Sequence, residues 1–339
     1  MDYPLNNQPA TDRYDRMQYK YCGKSGLQLP LISLGLWHNF GSVDNFSVAT
    51  DMIKYAFDHG ITHFDLANNY GPSYGSAEKT FGFIMKKSFK PYRDELFVST
   101  KAGYDMWPGP YGNWGSRKSL MASLDQSLVR MGLDYVDVFY SHRYDPETPL
   151  EETMQALVDI VRQGKALYVG LSRYPADKAE EAYRYLEARD VHCLLYQGRY
   201  NLFDRAPEEE GILGQARAYG VGFIAFSPLA QGLLTSRYLQ GVPEDSRMAQ
   251  GRFLKREVLT EAVLEKIKAL DRVAAERGQT LAEMSLAWVL KDELVTSVII
   301  GASSVAQLED NLKALRKVDF SREELDRIEA ICHTPDGGQ

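Results

Sequence analysis

Short apolar runs alternate along the chain with longer stretches in which apolar residues recur every three or four positions. The runs are Leu31–Leu36, His63–Ala67, Leu96–Ala102, Val136–His142, Ala166–Ser172, Cys193–Tyr196, Gly222–Ser227 and Thr296–Gly301. Short apolar segments bounded by turn formers read as buried strands. Between them Val48–His59, Lys118–Met131, Leu150–Arg162 and Asp177–Arg189 show helical spacing, and Glu261–Arg277 and Leu281–Lys291 add two helices before the last run. Strand-then-helix repetition predicts βαβ units and a parallel sheet. Eight such units favour closure into a (β/α)8 barrel, because a doubly wound sheet usually stops at about six strands. The G-x-G-x-x-G turn of a Rossmann unit is also missing after the first run.

Ahead of the first run, Met17–Leu29 reads as a short β-hairpin turning at Gly23–Gly26, and residues 1–16 as a polar leader. A connection of about thirty residues follows the seventh run, from Pro228 to Glu261. Loops of that length in a compact domain are usually functional, and this one leaves the barrel face where phosphate is commonly bound. No Pro/Ser-rich linker divides the chain, so a single barrel domain over 17–332 is expected.

Composition narrows the class. The 339 residues are 44% hydrophobic and 25% charged, ordinary for a globular enzyme. A formal charge of −7 without a long basic run speaks against a nucleic-acid partner. No window approaches a membrane span and the N-terminus carries no apolar signal, so a cytoplasmic protein without a membrane partner is expected. Cys22, Cys193 and Cys332 are far apart and lack metal or redox spacing, which predicts inert thiols; no metal site is expected.

In a barrel, polar residues at the ends of core strands face the mouth. Asp65 and Tyr70 close the second strand, Lys101 the third and His142 the fourth. A charged Asp65 or Lys101 inside an apolar strand is costly unless paired. The set suits carbonyl reduction, in which hydride goes to carbon and a proton to oxygen. A free phenol titrates near ~10. Lys101 beside Tyr70 is expected to lower that value, Asp65 to hold Lys101, and His142 to orient the carbonyl or share the proton. The remaining histidines, His38, His59, His63, His192 and His333, show no ligand spacing and read as structural or surface groups, with His38 the one that could touch substrate. A bare Asp65–Lys101 pair would read equally well as structural; Tyr70 and His142 at matching strand ends tip the balance.

These residues resemble a known family. The stretch 64–71, FDLANNYG, with Ser99-Thr100-Lys101 and His142, is similar to the aldo-keto reductase signature, whose Asp/Tyr/Lys/His tetrad falls on Asp65, Tyr70, Lys101 and His142. The resemblance covers roughly 17–330. GLWHNFG at 35–41, TKAGYDMWPGPYG at 100–112 and SPLAQGLL at 227–234 resemble the branch holding bacterial L-glyceraldehyde 3-phosphate reductases and potassium-channel β subunits.

The resemblance implies NADPH/NADP+ as cofactor. It places Trp37 and Asp65 near the nicotinamide, Ser172, Arg173 and Gln197 at the carboxamide, and Phe226 where a stacking Tyr or Trp often stands. Ser227, Leu229, Gln231 and Gly232 would hold the pyrophosphate with Arg237 nearby. Ser246 and Arg247, with Gly301, Ser303, Gln307 and Asn311, would surround the adenosine 2′-phosphate. A helix starting near Val305 after Gly301–Ser304 agrees with phosphate binding at a helix N-terminus.

Trp37, Tyr70, Trp107 and His142 are the expected substrate-lining residues for a small-molecule carbonyl. The resemblance points to L-glyceraldehyde 3-phosphate and methylglyoxal-type 2-oxoaldehydes, and to a homo-oligomer, tetramer or octamer. Two other readings share these residues: an NADPH-binding regulatory subunit of channel-β type with slow turnover, and oxidation of an alcohol by the reverse reaction.

Overall fold

The computed structural model describes residues 8–239 and 258–333. Strands β1 (Tyr19–Tyr21) and β2 (Gln28–Pro30) pair antiparallel as the expected hairpin. Eight parallel strands then close a barrel: β3 (Ile32–Gly35), β4 (His63–Asp65), β5 (Phe97–Ala102), β6 (Val136–Ser141), β7 (Ala166–Ser172), β8 (Cys193–Arg199), β9 (Gly222–Phe226) and β10 (Val295–Ile300), with β10 pairing back to β3. Every expected run is a strand, with ends displaced by at most three residues.

Helices cover the outside: α1 (Phe46–Asp58), α2 (Ser76–Ile84), α3 (Arg117–Met131), α4 (Leu150–Arg162), α5 (Ala176–Glu187), the single turn α6 (Ala206–Glu209), α7 (Ile212–Tyr219), α8 (Glu261–Glu276), α9 (Leu281–Leu290), α10 (Val305–Leu312) and α11 (Arg322–Cys332). Asn45, the first residue of a glycosylation-like triplet, is the N-cap of α1; its side chain accepts from the amides of Ser47 and Val48. Capping boxes at Thr280 and Ser321 start α9 and α11.

The two-residue period of the strands divides the core. Outward side chains such as Phe64, Phe139, Val169 and Leu171 join the helices in the larger apolar cluster. Inward ones, Phe97, Val138, Tyr140, Leu195, Ile224 and Ile299, form a smaller cluster inside the barrel, joined by Cys22 and Leu29 from the hairpin. Gly170 is needed there: a Cβ on it would stand 2.4 Å from the Tyr140 ring. Part of the polar leader also belongs to the barrel. Arg13 and Tyr14 both bond the Glu95 carboxylate, and the Asp58 side chain accepts from the Ala10 amide.

Candidate active site

The inward positions of neighbouring strands place unlike groups side by side. On β5 the inward series is Phe97, Ser99, Lys101; on β4 it is His63, Asp65, and the register sets Asp65 opposite Ser99. Lys101 Nζ donates to Asp65 Oδ2 and to the Leu66 carbonyl, each at 2.6 Å. Ser99 Oγ (2.7 Å) and Gln197 Nε2 (3.1 Å) donate to Asp65 Oδ1. Lys101 is fully buried and Asp65 is 2% exposed. An ion pair at that depth is costly unless further hydrogen bonds support it, and these contacts engage both Asp65 oxygens and two of the three Lys101 N–H donors.

Tyr70 sits on the turn after β4. Its amide donates to the Ala67 carbonyl and its own carbonyl accepts from the Ala77 amide. Gly71 follows at φ +84°, and a Cβ there would meet Ser76 Oγ at 2.5 Å, so glycine is required for this turn. The Tyr70 ring lies between Trp37 (6.3 Å between centroids) and His142 (6.1 Å), with Lys101 Nζ 5.1 Å from its centre. Its hydroxyl makes no hydrogen bond among the described residues. All four expected catalytic groups therefore converge at the barrel mouth.

The electrostatics correct one expectation. Burial pushes the Tyr70 phenol well above its ordinary value, reinforced by the Asp65 charge and opposed by Arg173. The predicted lowering by Lys101 does not prevail, because the burial of the phenol is the largest influence on it. Burial likewise lowers Lys101 despite Asp65. His142, 8% exposed, is held well below its usual range by burial and by Lys101, Arg173 and Arg143, so the ring is neutral. Its Nδ1 is buried without a hydrogen-bond partner among the described residues.

The loop after β5 shapes the mouth. Tyr104 packs edge-on against His142 at 4.7 Å. Arg143 stacks on Tyr104 and Trp114 and donates to the Gly103 carbonyl and Asn113 Oδ1, which ties the loop to the end of β6. Trp107 packs instead on Gly112, where a Cβ would fall 2.8 Å from its ring. Neither Tyr104 nor Arg143 was among the expected site residues; the aromatic-rich loop sequence was the available signal.

Across the mouth, Ser172 Oγ donates to the Gln197 carbonyl, and Arg173 (φ +53°) stacks on Phe226 at 5.0 Å. After β9 the backbone turns through positive φ at Ser227, Ala230, Gln231 and Gly232. Leu229 packs on the core, and Arg237 lies exposed on a short 3-10 turn. Helix α10 begins after the N-cap Ser304, with the Ser303 amide and hydroxyl both on Gln307 Oε1; Gly301 is exposed beside it. Asn311 is 3% exposed. Ser246 and Arg247 lie outside the described residues.

The sequence profile of the Aldo/keto reductase family matches residues 31–333. The chain is an aldo/keto reductase. It is 55% identical over 330 residues to an L-glyceraldehyde 3-phosphate reductase of Escherichia coli O157:H7, covering 96% of this chain and 95% of that protein. It is 36% identical over 325 residues to a probable voltage-gated potassium channel subunit beta of Arabidopsis thaliana, covering 94% and 97%. The chain is accordingly an oxidoreductase.

Aldo/keto reductases generally use NAD(P)H, and the residues present fit such a group. Asn311 Nδ2 and Gln231 Oε1, on α10 and on the loop after β9, are buried without hydrogen-bond partners among the described residues. A buried donor and acceptor left orphaned are costly unless a ligand completes them. Among the described residues no metal cluster and no helix long and apolar enough to cross a membrane is found. The thiols of Cys22 and Cys193 are buried and pushed up to about 12, in keeping with inert cysteines.

Proposed function

We propose that this aldo/keto reductase uses NADPH to reduce small aldehydes to alcohols, with L-glyceraldehyde 3-phosphate as a main substrate and methylglyoxal-type 2-oxoaldehydes also accepted. The single observation that carries the chemistry is Tyr70: a phenol without a hydrogen bond among the described residues, between Trp37 and His142 and beside the Asp65–Lys101 pair. The substrate assignment is supported by the activity for which the 55% identical relative is named.

NADPH, when bound, would supply the hydride for the carbonyl carbon. Tyr70 gives its proton to the carbonyl oxygen. Its raised pKa keeps the proton on the phenol at neutral pH, as a donor requires. The oxygen that receives it is becoming an alkoxide, a stronger base than a phenolate, so transfer runs toward the substrate. Lys101 then faces the new phenolate, and Asp65 keeps the ammonium in place. Neutral His142 can donate one hydrogen bond to the carbonyl and so orient it.

Trp37, Ser172, Arg173, Gln197 and Phe226 would hold the nicotinamide end; Ser227, Leu229, Gln231, Gly232 and Arg237 the pyrophosphate; Gly301, Ser303, Gln307 and Asn311 the adenosine. We assign Ser246 and Arg247 to the 2′-phosphate; a fixed planar cation there would favour NADPH over NADH. A cytoplasmic homo-oligomer completes the proposal.

NADPH oxidation with L-glyceraldehyde 3-phosphate and methylglyoxal, wild type against Tyr70→Phe, tests it. Turnover lost in Tyr70→Phe with the NADPH Kd nearly unchanged is expected. The named channel subunits among the relatives favour a second reading, a regulatory NADPH-binding subunit. Tight NADPH binding without turnover in the wild type would put it first.

A further inference from the structure

Below Asp65 a row of hydroxyls and one imidazole runs down the inside of the barrel. Ser99 Oγ, already 2.7 Å from Asp65 Oδ1, lies 2.9 Å from His63 Nε2. His63 Nδ1 lies 2.9 Å from Ser33 Oγ, which lies 2.7 Å from Ser297 Oγ. Ser33, His63, Ser99 and Ser297 are all fully buried. The four residues come from β3, β4, β5 and β10, so the row crosses the closure of the barrel.

We infer that His63 is a positioning residue of the reductase: with its proton on Nε2 it locks the Ser99 hydroxyl onto Asp65, and through Asp65 it keeps Lys101 in place against Tyr70. The kinetic part rests on the function proposed above; the proton placement stands without it.

Counting hydrogens fixes the direction. The Asp65 carboxylate, paired with Lys101, offers only lone pairs, so Ser99 donates its single hydrogen to Oδ1. Ser99 Oγ must then accept from His63, which puts a proton on Nε2. Burial lowers His63 to about 4, so the ring is neutral and Nδ1 is an acceptor. Ser33 therefore donates to Nδ1 and takes the Ser297 hydrogen, at 2.7 Å, in preference to the longer 3.3 Å contact from Ser297 to the Leu31 carbonyl. Every donor in the row points toward Asp65.

The charged groups facing His63 are Asp65 on its own strand and Lys101 on β5. Phe97 meets the ring edge-on at 5.1 Å, and Ser33 and Ser297 bring only hydroxyls. An imidazolium would reverse the lower half of the row and set a second buried cation near Lys101.

Nitrogen-15 NMR of histidine-labelled wild-type protein reads the ring directly, with the His63 signals assigned by their loss in His63→Gln. A protonated Nε2 and a bare Nδ1 across the neutral range are expected; the opposite tautomer, or a doubly protonated ring, overturns the inference. Kinetics supply the coupling. His63→Met should lower kcat by ~10-fold to ~100-fold, the effect of one hydrogen bond to a charged group, with KM and NADPH affinity little changed. His63→Gln, whose amide can donate from the Nε2 position, should recover most of the loss. Ser99→Ala should match His63→Met, and the double variant should cost no more than either alone. Additive losses, or wild-type kcat in His63→Met, would show that His63 does not act through Ser99. Unchanged turnover in Tyr70→Phe would sink the reductase mechanism while leaving the NMR result intact. A bare Nε2 would sink the His63 assignment whatever Tyr70→Phe does.

Discussion

The ammonium of Lys101 lies 5.1 Å from the centre of the Tyr70 ring, and burial moves the two groups in opposite directions, the phenol up and the ammonium down. On raising pH, Lys101 therefore loses its proton before Tyr70 does. Loss of the ammonium removes the charge that faces the phenolate after donation. The alkaline fall in kcat/KM for reduction should thus have its midpoint below the ordinary lysine value of ~10.4. A pH profile checks this, with Lys101→Arg as comparison: a guanidinium stays charged, so the alkaline limb should vanish even though the rate is lower. A limb unmoved in Lys101→Arg would assign it to another group.

His63 and His142 are both held below the usual histidine range. Their unfolded forms take up protons near ~6.5. Below that pH the unfolded chain binds protons that the folded chain refuses until its own lower pKa is reached, about 4 for His63. The stability is present above ~6.5 and is lost as pH falls, by up to ~1.4 kcal/mol per pH unit for each group. Urea unfolding followed from neutral pH to ~5 should show this decline, and His63→Gln should make it shallower by about one proton. A flat stability over that window would mean the rings are already charged in the fold.

Asn311 gives a sharp separation between ligand binding and folding. Its Nδ2 is buried and has no hydrogen-bond partner among the described residues. Asn311→Leu removes a donor that the fold does not use, so the melting temperature without ligand should hold or rise. NADPH affinity should fall by ~10-fold or more, the cost of leaving a ligand acceptor unpaired. Calorimetric titration alongside thermal unfolding measures both; unchanged affinity would remove Asn311 from the adenosine pocket.

The barrel was legible because each strand is a short apolar run between turn formers, and the tetrad because its polar residues interrupt those runs at the same end. What stayed hidden depends on contacts across strands. Nothing local says that His63, two residues before Asp65, bonds Ser99 and Ser33 on the strands to either side. The direction of the Tyr70 shift was misread for the same reason: it sums burial with charges from several elements. Helices α2, α6, α7 and α11 were not foreseen, α6 and α7 being only four and eight residues long, and the packing of Arg13 and Tyr14 on Glu95 makes the described part of the leader belong to the barrel surface.

The first turn of α2 has a wider consequence. Ala77 donates its amide to the Tyr70 carbonyl, while Glu78, next in sequence and fully buried, accepts from Thr100 on the outer side of β5, directly before Lys101. Arg130 of α3 holds the other oxygen of Glu78 at 2.6 Å. The proton donor and the cation behind it are thus bolted to one jig, two adjacent residues long, that lies outside the barrel. The aromatic loop over the mouth rests on different anchors, Gly103, Asn113 and Arg143. That loop can therefore be exchanged, and with it what enters the mouth, without touching the contacts that set the spacing of the acid and its counter-charge.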